Sequence, residues 1–191
     1  MGGKKSQKSG IFGQHVDQIV SVMVSHTFLL DIAKKSLEED GFFELFAPDV
    51  GTQIVGMEER RFPFLTPYGL TFLKTQVLDD TRLRNILEAS FDKCTLGHWL
   101  RYRALPGHIE SYFQSGPDTG MHGLAVQLWA KGSSVTYYRG SHLLSFPTEE
   151  SERRLYETSK EAMDEAGCVG KEKNFPSGGL YATAPYYKRV Y

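Results

Sequence analysis

From Val16 onward apolar residues arrive densely enough to build a core, and their spacing changes character along the chain. Between Phe28 and Glu39, Leu29, Ile32, Ala33 and Leu37 fall on one face at helical spacing, and Gly41 follows where a helix should close. The next stretch, FFELFAP, alternates and is stopped by Pro48, which predicts a strand whose Phe42 and Phe43 pack on that helix. A Pro- and Gly-containing loop from Phe62 to Gly69 leads to a helix over Asp79–Thr95, with Leu83, Ile86, Leu87 and Phe91 on its apolar side. Asp79 and Asp80 suit the positive end of its dipole. HWLRYRAL reads as a strand. Ala125–Ala130 and Val135–Arg139 read as two strands of a hairpin around KGSS, a short loop with a glycine able to take positive φ. Thr148–Ala166 reads as a polar helix with a thin apolar edge of Leu155, Tyr156, Ala162, Met163 and Ala166, and NFPSGGLYATAP supplies a turn and a last strand. The order predicts an α+β fold with an antiparallel barrel or sandwich core.

Composition narrows this. With 191 residues, 40% of them hydrophobic, the chain can bury one sizeable core but not two. Residues 1–13 have the composition of a disordered basic tail, leaving 14–191 as a single domain. A net charge of −1, with basic residues scattered beyond the N-terminal cluster, gives no footprint for nucleic acid. Cys94 and Cys168 form no zinc or redox spacing; they read as two buried thiols of a reducing compartment, with a single structural disulfide as the alternative. The most apolar run, VDQIVSVMVSHTFLLDIA, is broken by Asp17, Gln18 and His26, so a cytoplasmic protein is expected. MGGKKS matches a myristoylation pattern, with Lys4, Lys5 and Lys8 close behind Gly2. Two readings stay open there: a solvated tail, or a lipidated N-terminus making weak membrane contact.

Taken in order, EEDGFFEL, the middle helix, VQLWAKGSSVTYYRGSHL, a polar insertion and FPSGGLYAT resemble the phytanoyl-CoA dioxygenase-like branch of the Fe(II)/2-oxoglutarate oxygenases. The resemblance runs from about Leu29 to the end of the chain, and its strongest piece ends in Gly140-Ser141-His142. It implies a double-stranded β-helix, a cupin-like jelly-roll barrel with flanking helices. It also implies Fe(II), 2-oxoglutarate as co-substrate and oxidative hydroxylation of a small organic molecule. In that family two histidines and a carboxylate occupy one face of the iron, leaving the other for co-substrate and oxygen. A late arginine grips the far carboxylate of 2-oxoglutarate.

Carried onto this chain, the early part of the motif has two registers. His108-Ile109-Glu110 gives His-x-Glu with both side chains on one side of a strand. His122 sits nearer the expected strand entry, but Leu124 stands where the carboxylate belongs, and Asp118 is the acid close by. No histidine follows His142, so either His142 is the second imidazole or the iron site is absent. As a turn residue, His142 would bond its ring to backbone. Arg101 and Arg103 share a face if HWLRYRAL is a strand, either inside the barrel as an anion site or outside as surface charge. Arg101 and Arg189 are the candidates for the co-substrate carboxylate, and Arg103 and Tyr138 for the chemistry. Tyr137 and Tyr138 must face opposite sides, so one hydroxyl can line the cavity. Three function classes follow: a small-molecule or protein-binding module attached to membranes by its N-terminus, an iron oxygenase, or an iron-free barrel of the same ancestry. The latter would be a pseudoenzyme subunit of a homo- or heterodimer, an isomerase or cyclase, or a small-molecule binding module. The ending YYKRVY also leaves open a shortened form of a longer enzyme.

Overall fold

The computed structural model describes residues 28–101, 107–112, 121–150, 155–184 and the backbone of 188–190. Helix α1 covers 28–39 and buries Ala33 and Leu37 completely, with Leu29 and Leu30 packed beside them. Ile32, expected on the same stripe, lies at its rim and is partly exposed. The helix closes as expected: the Gly41 N–H donates to the Ser36 carbonyl, and Gly41 takes φ +85°.

Strand β1 (Phe42–Leu45) follows and shows how the layers are built. Its alternation sends Phe43 and Leu45 to α1 and α4 (Thr81–Ser90), while Phe42 and Glu44 point the other way. The expectation that both phenylalanines pack on the helix is therefore half right. Antiparallel pairing makes a three-stranded sheet, β1-β8-β3, from β1, β8 (Gly179–Thr183) and β3 (Ala125–Trp129). One face of it, carrying Phe43, Leu45, Leu180 and Ala182, packs on Leu83 and Ile86 of α4 and on α1. The other face, carrying Phe42, Trp129 and Tyr181, meets Val135, Tyr137 and Phe175 of the second sheet.

That second sheet has the order β5-β6-β2-β9-β4-β7, with every pair antiparallel. Its strands are β2 (Ile109–Ser111), β4 (Ser133–Tyr138), β5 (Glu149–Glu150), β6 (Tyr156–Thr158), β7 (Gly170–Phe175) and β9 (Lys188–Val190). Helix α5 (Lys160–Glu165), capped by the Ser159 hydroxyl, covers its outer face by burying Met163 against Ile109 and Tyr138. No closed barrel forms among the described residues.

Three expectations are corrected. β3 and β4 do not pair as a hairpin: β3 pairs β8, while β4 pairs β7 and β9, so the chain crosses from one sheet to the other at Ala130–Gly132. The return crossing, Pro176–Gly178 between β7 and β8, lies beside it, with the Gly132 N–H bonded to the Phe175 carbonyl. The single helix over Thr148–Ala166 is instead β5, β6 and the short α5, because its apolar edge was too thin to hold a helix against strand pairing. Finally, α2 (Val50–Glu59) and α3 (Pro67–Leu73), which runs into a π-helical turn at Lys74–Leu78, were not anticipated. α2 buries Val50, Ile54 and Met57 at helical spacing, a stripe interrupted to the eye by Gly51 and Gly56. No disulfide joins Cys94, which is exposed rather than buried, and Cys168, which is half-buried. Among the described residues no helix is long and apolar enough to cross a membrane.

Candidate functional site

The space between the sheets is organised by register. In the three-stranded sheet Glu44, Tyr181 and Gln127 stand opposite one another on a single rung. Directly paired antiparallel residues point to the same face, so all three look toward the second sheet. There the matching rung runs Glu157, Glu110, the backbone position of Arg189, Tyr137 and Lys171.

Side chains join the two rungs. The Trp129 indole N–H donates to the Tyr137 hydroxyl at 2.9 Å, and that hydroxyl donates to Gln127 Oε1 at 2.8 Å. Indole nitrogen is only a donor, so the tyrosine oxygen accepts from it, and the phenol proton is directed to Gln127 Oε1. In this arrangement the amide oxygen faces Tyr137, and the nitrogen is turned away with two protons to give. Gln127 is 5% exposed, and among the described residues no acceptor reaches Nε2. An enclosed donor left unmatched costs on the order of 1–3 kcal/mol.

Aromatic rings surround this chain. Tyr137 and Tyr181 stack at 4.8 Å between centroids, Phe42 lies 5.1 Å from Tyr137, and Trp129 stacks on Phe175 at 5.5 Å. Toward the rim, Glu44 Oε2 accepts from Lys173 Nζ at 2.6 Å and from the Tyr181 hydroxyl at 3.3 Å. Burial, then the Glu44 charge and hydrogen bond, raise the Tyr181 phenol far above its ordinary value, so it stays a neutral donor. The space between the sheets is thus lined by aromatic faces, with the Trp129, Tyr137 and Tyr181 donors each engaged and Gln127 Nε2 left over.

The anticipated site residues are placed as follows. Glu110 is buried on β2, on the same face as Tyr137. His108, exposed just before β2, holds Glu157 through Nδ1 at 2.5 Å. His122 is exposed ahead of β3. His142 is buried at the end of α1, where its Nε2–H donates to the Glu38 carbonyl at 2.8 Å. This is the ring-to-backbone bond expected of a turn residue. Tyr138 lies on the outer face, under α5 with Ile109 and Met163, so the hydroxyl inside belongs to Tyr137. Arg101 is exposed, paired with Glu58 at 2.8 Å and stacked 4.1 Å over Phe62; residues 98–101 form no strand. Asp118 and Arg103 lie outside the described residues, and Arg189 enters only as a backbone position on β9.

A facial iron site needs two imidazoles and a carboxylate converging on one point. Among the described residues no three of His, Cys, Asp or Glu gather in that way. His108 stands just before β2 and Glu110 on it, but the ring of His142 is engaged at the helix end and His122 faces solvent. These residues do not fit the triad. The interior residues not singled out beforehand are Gln127, Glu44, Tyr181 and Lys173. The readable signal was Gln127, one amide in the middle of the otherwise apolar AVQLWA.

Comparison with known proteins returns no match: no family model fits the sequence, and neither a curated protein nor a solved structure matches it.

Proposed function

We propose that this chain is a jelly-roll protein, resembling the phytanoyl-CoA dioxygenase-like branch, that takes up a small organic molecule between its two sheets. The paired crossings β3–β4 and β7–β8 support the jelly roll, since such a fold is a two-chain antiparallel ribbon bent over from one sheet to the other. The observation that carries the function is the ordered chain Trp129–Tyr137–Gln127 in the inter-sheet interior. Apolar side chains fill such an interior at less cost. A polar network with a donor to spare marks a place where local stability gives way to another task.

The test is a thermal-shift and fluorescence screen of small aromatic and aliphatic molecules, with Trp99→Phe leaving Trp129 as the reporter. The reading expects saturable binders that raise Tm and change Trp129 emission; a complete absence of such binders sinks it.

A second reading, an Fe(II)/2-oxoglutarate oxygenase, is favoured by Glu110, a carboxylate buried on β2 two residues after His108. Anaerobic addition of Fe(II) and 2-oxoglutarate separates the two. The binding reading expects a flat visible spectrum and no stoichiometric iron, whereas a charge-transfer band with one iron per chain selects the oxygenase.

A further inference from the structure

We infer that the Gln127 carboxamide is a recognition group for a carbonyl-type oxygen, so that the molecule taken up between the sheets is flat, mainly apolar and carries one exposed hydrogen-bond acceptor. This rests on the proposal that the interior holds a small molecule and names what that molecule must present. Three observations converge. The donor order from Trp129 through Tyr137 leaves the Gln127 nitrogen, not its oxygen, to meet whatever lies beside it. That nitrogen is buried and has no acceptor among the described residues. Gln127 shares its strand face with Trp129 and its rung with Tyr181, and Tyr181 is in turn stacked on Tyr137.

The chemistry selects among ligands. A hydrocarbon would leave both amide protons unmatched. A cation would meet the positive end of the amide dipole. A ketone, amide or ester oxygen accepts from Nε2 while its body lies among the rings. Because the amide is enclosed, such a molecule gains its place only by parting the aromatic packing, and planar molecules do that at least steric cost. Sites built to hydrogen-bond one polar group discriminate sharply against analogues that lack it.

Acetophenone and ethylbenzene, alike in shape and differing in the carbonyl, are the probes. Their affinities are measured by Trp129 fluorescence in the full chain carrying Trp99→Phe, with Gln127 intact or replaced by Gln127→Met, a side chain of similar length without donors. The expected result is an acetophenone affinity about tenfold weaker in the variant, with ethylbenzene unchanged or tighter. If both probes change by the same factor, the amide has no recognition role, while uptake between the sheets stands. If neither probe binds the unmodified chain, both ideas fall. Infrared spectroscopy of acetophenone bound to the unmodified protein needs no variant. A carbonyl stretch lowered to the hydrogen-bonded range supports the assignment, and a stretch at the frequency seen in hydrocarbon solvent overturns it.

Discussion

His142 is held where a proton is hard to accept. Its ring is 5% exposed, donates to the Glu38 carbonyl and lies against Gly41. A Cβ on Gly41 would come within 2.6 Å of Nδ1, so glycine is needed there for contact as well as for its positive φ. Burial lowers the imidazole below its ordinary value of 6.5, and neither the Glu38 hydrogen bond nor the nearby Asp40 reverses this. The unfolded chain therefore takes up the proton first. Stability is at its full value above about pH 6.5 and declines as pH falls below it toward the folded value. Urea midpoints measured from pH 7.5 down to 5.5 should fall more steeply for the natural chain than for His142→Gln. Parallel slopes would show that His142 does not report on pH. The bonding of this ring to backbone was one of the roles legible in the glycine-serine-histidine sequence. Its partner was not, because Glu38 lies on an element distant in the chain and contributes only a main-chain oxygen.

At the scale of elements, α2 shows why periodicity alone can miss a helix. Its buried positions are correctly spaced, but two glycines dilute the pattern, and they are there for different reasons. A Cβ on Gly51 would meet the Ser177 carbonyl oxygen at 2.1 Å and Gly178 Cα at 3.0 Å, both backbone. On Gly56 the near atom is the Tyr68 hydroxyl at 2.5 Å, the free end of a side chain that can swing aside. The same substitution should thus have opposite effects on one helix. Gly51→Ala is expected to cost roughly 1–3 kcal/mol by forcing α2 off the β7–β8 crossing. Gly56→Ala should be neutral or gain up to about 1 kcal/mol from helix propensity. Chemical denaturation of the two variants checks this, and equal effects would show that the crossing yields. The failure over Thr148–Ala166 has the reverse cause. There the local sequence favours helix, but Tyr156 and Thr158 find strand partners on β2 and β5, a gain visible only once the sheet exists. α4 was legible because its signals are local: Asp80 caps the N–H groups of Arg82 and Leu83, and Leu83 and Ile86 turn inward.

For the whole molecule, the question is what holds one sheet on the other. Three kinds of contact cross the gap: the aromatic cluster, the Trp129–Tyr137–Gln127 hydrogen bonds and the Lys173–Glu44 ion pair. The ion pair is short, but its side chains are 32% and 46% exposed, so solvent screens it and its contribution is within about 1 kcal/mol. Phe175 is 2% exposed and packs on both Trp129 and Tyr181, and truncating such a ring typically costs about 3–5 kcal/mol. Phe175→Ala should therefore lower the denaturation midpoint severely, while Lys173→Met should leave it nearly unchanged, since Glu44 remains in contact with water. The opposite ranking would mean that charge rather than ring packing joins the layers. The distinction bears on the site itself. If rings carry the cohesion, a planar molecule that enters between them must part them, and it restores on binding the kind of stacking contact it breaks. Trp129, Tyr137 and Tyr181 were apparent as strand aromatics, whereas Phe175, the end of β7, read as part of a turn. That they meet across two sheets was hidden, because the crossing at Ala130–Gly132 carries the same turn residues as a hairpin would.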